Sequence, residues 1–437
     1  MNAAPFLVLL AVLQQSDPAS QASGSEEGSS MHFRLALEAG PLSFPSGPRG
    51  GGQDLFAQFL PMARLYNDDF SLELGAPLRL RLLDEEPAQA ADDFGAHLRR
   101  QDWDTLSDFG QVLRELSIGH DGEAFSLYAG PLLAFTLGEG HLVDRYDNQL
   151  SPDYHPAGAI LTTHVGPARV QLAASDVLSA RLFAGELRLD IGRLASKDEA
   201  KFDRYHAIAA IAQDFGRVDE ERLEPVTAAL VGGNAALYKG ASFQLFAIGG
   251  AGSRVDEGSP DIGGFFGFSL RGITESADIS GRLEGRYQGG SFRFGMFGPS
   301  YELARYSATG LSEPPLAEER LERHMSGFAE LKLGMGGDEP GSLDISASAS
   351  AEYFAFGRTD TDLTLAFSVN RTIASARLII VGIGAQPRYS VQAELRQRVL
   401  DWLYAWGAAS TVHFPQADGS LSRGFSAGAG VGVDFSR

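Results

Sequence analysis

The stretch GFSAGAGVGVDFSR, Gly424 to Arg437, alternates along nearly its whole length. Phe425, Ala427, Ala429, Val431, Val433 and Phe435 form one series, and Ser426, Gly428, Gly430, Gly432 and Asp434 form the other. Side chains point to opposite faces of a β-strand with a period of two. The stretch therefore predicts a strand with one apolar face and one polar or bare face. Strands in soluble proteins usually run about 5 or 6 residues, and an exposed edge longer than that invites aggregation. This segment needs a neighbour on both sides.

The same alternation recurs along the chain. Leu72, Leu74, Ala76, Leu78, Leu80 and Leu82 oppose Ser71, Glu73, Arg79 and Arg81. Ile279, Leu283 and Tyr287 oppose Ser280, Arg282, Glu284 and Arg286, and Ala347, Ala349 and Ala351 oppose Ser348, Ser350 and Glu352. Turn-rich gaps such as DEPGS and QADGS separate the runs. Several runs reach about 10 residues, the length that crosses a bilayer at a tilt. Closing the sheet on itself would pair the last strand with the first, HFRLALE at His32 to Glu38, and remove every edge. Lipid would then take the apolar face and a water-filled lumen the polar one.

Bacterial outer-membrane β-barrels typically end on such a strand with an aromatic residue near the terminus, and this chain resembles them, with Phe435 third from its end. The resemblance implies an all-β fold, a transmembrane antiparallel β-barrel. About 20 candidate segments and the even-number rule for such barrels give an expected count of about 16 to 18 strands. Trp402, Tyr404 and Trp406 share one strand face and Phe292, Phe294 and Met296 another, as interfacial girdles would. Residues 1–22 read as a cleaved signal peptide, with PFLVLLAVL as its apolar core and no preceding Lys or Arg. Residues 23–30 form a polar spacer, and 31–437 the barrel, with long loops near 84–111, 138–158 and 196–225.

The totals narrow the function. A formal net charge of −20 sets the surface against nucleic acid. With no cysteine, disulfides, thiol catalysis and a lipoprotein anchor drop out. No GxSxG, HExxH or phosphate-loop pattern occurs, so no enzyme is expected, and no cofactor. The expected partners are outer-membrane lipid and periplasmic export or envelope machinery. The leading reading is an outer-membrane pore, for diffusion of hydrophilic solutes or for export of a polymer. Size and acidity resemble those of polysaccharide-exporting barrels. The alternatives are a non-conducting barrel that anchors envelope machinery and a secreted all-β binding protein.

Inward-facing charges are the candidate pore lining: Arg282, Glu284 and Arg286 on one strand, Arg293 on the next, then Glu330, Lys332, Glu352, Glu394, Arg396 and Arg398. The long acidic break at 84–111 offers Arg99, Arg100, Trp103, Asp104 and Asp108 as a constriction if it folds inward, and a surface loop if it does not. Asp144, Asp147, Asn148 and Asp153 are oxygen donors of the calcium type. They lack the spacing of an ion-binding loop, so no metal is expected, and their plainer reading is a set of Asx turns. The break at 196–225 leaves open whether it holds a strand. Acid in the loops, including Asp84, Glu85, Glu86, Asp92, Asp93, Glu318, Glu319 and Glu322, predicts weak cation preference at low salt.

Overall fold

A computed structural model describes residues 30–436, apart from 46–51, 86–96, 121, 151–153, 180, 219–220, 223–224, 256–260, 275, 305–306, 309–320, 337–341, 385–386 and 416–419. The proposed signal peptide and spacer lie outside the described residues, except for Ser30. The closing strand, Ser420–Ser436, pairs antiparallel with the first, His32–Pro45, so that Leu35 faces Phe435 and Leu37 faces Val433. The sheet thereby closes into a 20-strand antiparallel barrel. Among the described residues no helix is long and apolar enough to cross a membrane; the crossing elements are strands.

The count exceeds the expected 16 to 18 because short strands also belong to the wall. Leu113–Ile118 and Phe125–Gly130 are six residues each, too brief for alternation to stand out from the flanking loops. Phe70–Gly75 and Leu78–Leu83 are two halves of one wall strand, since both pair with Gln53–Tyr66. The break at 196–225 does hold a strand, Tyr205–Asp214, preceded by a single helical turn at Ile191–Ala195.

The two strand faces separate as the alternation requires. Phe425, Val431 and Phe435 are 51%, 55% and 57% exposed on the outside, while Ser426 on the inside is 0% exposed. Ile279, Leu283 and Tyr287 likewise stand outside, with Arg282, Glu284 and Arg286 buried within. Only a closed barrel or a helix satisfies its backbone in hydrocarbon, and this wall is closed and clad in apolar side chains.

The glycines of the closing strand have a packing cause. Tyr404 and Trp406, on Leu403–Pro415, pair with Gly432 and Gly430. A Cβ on Gly432 would stand 2.2 Å from Cζ of Tyr404, and one on Gly430 2.9 Å from Cε2 of Trp406. The rings lie inward across bare backbone, a pairing of aromatic with glycine that pins strand register. This corrects the girdle reading: Tyr404 is 1% exposed in the lumen. Trp402, by contrast, lies in the turn beyond the strand, outside, stacked with Phe435 at 6.4 Å.

Both termini of the barrel lie at one end, with brief turns such as 67–69, 166–167 and 370–371. The long connections between Gly130 and Gly158 and between Gly290 and Leu321 leave and rejoin the wall at the other. Outer-membrane barrels keep short turns on the periplasmic side and long loops outside, which orients the molecule.

Candidate functional site

Two of the outer connections turn into the lumen and fill it. The first leaves Phe125–Gly130 and runs from 131 to 157 before the wall resumes at Gly158–Val165. It forms a narrow loop: Phe135 and Tyr146 exchange backbone hydrogen bonds of 2.9 and 2.8 Å, and Leu137 N–H donates to Val143 O at 3.0 Å. Gly138 and Gly140, at φ 56° and 76°, make the reversal that residues with a Cβ adopt poorly. The second, 291–304, runs alongside it. Asp144 N–H donates to Phe297 O, and Phe297 N–H to Leu142 O, both at 3.1 Å.

This plug has two unlike faces. Leu132, Phe135, Leu142, Val143, Phe292 and Phe297 pack in one continuous core with inward Ala212, Ala228, Leu230, Ile248 and Phe265 of the wall. Those wall positions are small or apolar on an inner face that other strands fill with charge, so the wall is shaped to take the plug. Each large apolar side chain so buried contributes roughly 1.5–3 kcal/mol. The expectation of a water-filled lumen at this level is corrected: it is packed. The girdle reading of Phe292, Phe294 and Met296 is corrected with it. All three are at most 2% exposed, inside the plug.

The opposite face of the plug is ionic. Arg145 reaches Glu330 and Asp362 of the wall, each at 3.3 Å, and its neighbour Asp144 at 2.8 Å. Asp147 accepts from Arg377 at 2.8 Å, and Asp144 from Arg282 at 3.3 Å. Burial works to raise the Asp144 pKa, but Arg145 and Arg282 outweigh it and hold the carboxyl below the ordinary range. His141 meets Glu284 at 2.9 Å and stacks on Phe265 with ring centroids 3.7 Å apart. Burial, together with Arg282 and Arg286, lowers its pKa although Glu284 opposes this. Along this seam between plug and wall lies a cavity of ≈ 60 Å³, bordered by Arg145, Arg286, Arg293, Glu352, Asp360 and Asp362 among others.

The charges expected to line a pore fall as follows. Arg282, Glu284, Arg286, Glu330 and Glu352 form one connected network at the seam: Arg286 bridges Glu284 at 2.8 Å and Glu352 at 2.9 Å, and Arg282 bridges Glu284 at 3.3 Å and Glu330 at 3.5 Å. Lys332, lower on the wall, is more open and pairs with Glu330 at 3.3 Å. Arg293 is not on a strand, a correction. It belongs to the inward segment and is 7% exposed. Glu394, Arg396 and Arg398 stand elsewhere, on Arg388–Leu400. There Arg396 pairs with Glu38 at 2.6 Å and Arg398 with Asp434 at 3.3 Å.

The break at 84–111 divides. After the undescribed residues 86–96 the chain pairs antiparallel with the wall strand Leu78–Leu83: Arg99 N–H donates to Arg79 O at 2.9 Å, and Arg81 N–H to His97 O at 2.7 Å, so Leu98 lies beside Leu80 on the exposed face and Arg99 points inward. Arg99 and Asp108 are buried, Trp103 half-buried, and Arg100 and Asp104 exposed. Asp102 clasps Arg99 at 2.7 Å and also pairs with Arg79. Burial, with Asp104 alongside, pushes the Asp108 carboxyl up to about 7 against two hydrogen bonds from Thr105.

The oxygen donors of the 138–158 break are committed elsewhere. Asp144 and Asp147 hold arginines, Asp147 also caps Gln149 N–H in an Asx turn at 2.9 Å, and Asn148 ties Leu132, Pro156 and Ser175. Asp153 lies outside the described residues. Sequence reasoning missed Arg145, Asp362, Arg377 and His141. The available signal was a break rich in Leu, Val and Tyr as well as in charge, a mixture that a solvated loop does not need.

No family model and no curated relative matches the sequence. Among solved structures the chain is similar to a BenF-like porin from Pseudomonas fluorescens Pf-5, at 9% identity and TM-score 0.35 over 93% of this chain and 99% of that one. It is similar to OccK2 (OpdF) of Pseudomonas aeruginosa in complex with glucuronate, at 10% identity and TM-score 0.35 over 93% and 97%. A ferric enterobactin receptor (PfeA) mutant of the same species gives 9% identity and TM-score 0.37 over 94% and 81%.

Proposed function

We propose, for a chain whose fold is that of a bacterial outer-membrane β-barrel, that it is a narrow solute-diffusion pore, with the path running along the ionic seam beside the plug. The observation that carries this is the asymmetry of the plug. Its apolar face is anchored to the wall, while its charged face meets the wall chiefly through ion pairs and hydrogen bonds and borders a cavity. Ion pairs exchange for water and solute ions at far less cost than an apolar core separates. The seam is therefore the side on which a hydrophilic solute passes. A 20-strand wall would otherwise enclose an open channel, since 16 to 18 strands already suffice for one.

Export of a polymer such as polysaccharide fits this geometry poorly, because a chain in transit needs a continuous bore and the plug occupies it. A secreted binding protein would not expose rows of Leu, Val and Phe around its whole girth. A barrel that serves only as an anchor for envelope machinery predicts no conductance at all. Planar-bilayer recording of the refolded protein separates these readings. Small, discrete steps support the narrow pore, and folded protein that never conducts rejects it.

A further inference from the structure

We infer that the plug is latched from the periplasmic side by a relay of three side chains, Glu139, Asn234 and His206, and that protonating His206 tightens the latch and narrows the pore. The inference rests on the pore reading above and adds its regulation. Glu139 lies between Gly138 and Gly140, at the reversal of the first plug segment. Its carbonyl accepts from Arg282 of the seam network. Its carboxylate accepts from Asn234 Nδ2 at 2.6 Å and meets Arg188 at 3.5 Å. Asn234, on Val226–Lys239, stands directly opposite His206 of Tyr205–Asp214, and its Oδ1 lies 2.8 Å from His206 Nδ1. The other ring nitrogen, Nε2, lies 3.9 Å from Oδ1 of Asp203. Asp203 belongs to the connection 191–204, which sits at the end of the brief turns, since Asp190 N–H donates to Pro167 O at 2.8 Å. Its side chain is 52% exposed, against 8% for His206. The chain of contacts therefore begins in periplasmic water and ends on the plug.

The order of donors and acceptors decides which state of the imidazole completes the relay. A carboxylate only accepts, so the Asn234 amide turns Nδ2 to Glu139 and Oδ1 to His206. That Oδ1 and the Asp203 carboxylate then flank the ring as two acceptors. A neutral imidazole carries one N–H and serves only one of them. With its proton on Nε2, Nδ1 becomes an acceptor for Arg188, whose Nη2 lies 3.2 Å away, and the bond to Asn234 is lost. The imidazolium serves both sides: Nδ1–H donates to Asn234, and the cation pairs with Asp203, with Asp190 alongside. It also repels Arg188 from the ring toward Glu139. Arg193 and Lys239 contact Asp203 at 3.4 and 3.9 Å and hold its carboxylate in place. Each change on protonation strengthens the grip on Glu139, because charge-assisted hydrogen bonds are roughly twice as strong as neutral ones. Histidine changes charge between about pH 8 and pH 5. Acid therefore locks the plug, and neutral pH frees Glu139 and with it Arg282 on its side of the seam.

Planar-bilayer recording at pH 8 and pH 5 tests this, in EDTA to keep metal ions off Asp190, Asp203 and His206. Hydrogen exchange of 137–141 accompanies it, read as protection factors, which remove the intrinsic pH dependence of exchange. From pH 8 to pH 5 conductance should fall several-fold and protection of 137–141 should rise several-fold. In His206→Gln, which does not titrate, both should be the same at the two pH values. Glu139→Gln, in the plug and not in the wall, should leave conductance high at pH 5 as well. An acid response that persists in His206→Gln, or no response in the unchanged protein, would overturn the latch and leave the pore standing. Acid-tightened protection in folded protein that never conducts would remove the pore reading while the latch on the plug stood.

Discussion

Arg145 of the plug and Asp362 of the wall stand 3.3 Å apart across 217 residues of chain, both almost fully buried. Glu330 and Asp144 share the same guanidinium. A buried arginine that holds three carboxylates from three parts of the chain fixes where the plug sits. Removing one partner of a buried pair typically costs about 3–5 kcal/mol, because charge is left behind unpaired.

Arg145→Met should therefore release the plug from the seam without dissolving the barrel. Hydrogen exchange would show this as faster exchange across 132–148, with the wall strands Ala277–Gly290 and Leu321–Met335 still protected. Protection of the plug as in the unchanged protein would mean that the apolar face alone holds it.

The glycines of the closing strand give a second test. Gly432→Ala places a methyl 2.2 Å from the Tyr404 ring. Overpacking of this kind costs about 1–3 kcal/mol, and here it also disturbs the strand that closes the barrel. The yield of folded, heat-modifiable protein should fall, and Tyr404→Ala in the same chain should restore part of it. No recovery in the double variant would separate Gly432 from the ring.

The wall itself is tested by two adjacent positions. Ala349 faces Leu331 on the outside, and Ser348 faces Lys332 within. Ala349→Arg should cost about 2–4 kcal/mol near mid-bilayer, while Ser348→Glu, beside a lysine, should be tolerated. Equal loss of folded protein in both would contradict the facing of this strand.

A pH effect follows from Asp108. Its folded pKa of about 7 lies above the ordinary carboxyl value of about 3.9. The protonated form is thus favoured by the folded turn, so the turn is steadiest below about pH 4. That stability declines as pH rises through about 7 and then levels off. Exchange rates at 105–112 should rise over that interval, and Asp108→Asn should flatten the profile. A turn equally protected at pH 5 and pH 8 would contradict the assignment.

How much of this was legible in the sequence depended on periodicity. Where strands ran ten residues or more, as at Ala277–Gly290 or Leu343–Phe354, alternation identified both the strand and its faces. Closure of the sheet also predicted that the stretch His32 to Glu38 pairs with the closing strand, as it does within the longer strand His32–Pro45. Strands of six residues carried too few alternations, which is why the count fell short. The charges at Arg282, Glu284 and Arg286 were readable as inward, but their partners were not, since Arg145 and His141 come from a segment with no period at all. Phe292, Phe294 and Met296 misled because alternation in an irregular buried segment looks like a strand. Only tertiary placement shows that they fill the lumen.

Single-channel conductance with the longer of the two plug segments removed bears most directly on the claim that inward-folded segments narrow a wide barrel. In a variant whose residues 133–156 are replaced by a short Gly-Ser linker, the wall should still close, because its strands pair with one another and not through the plug. Conductance should then rise many-fold from the small steps of the intact protein toward that of an open barrel. Unchanged conductance in a folded barrel, or large steps before the plug is removed, would contradict it.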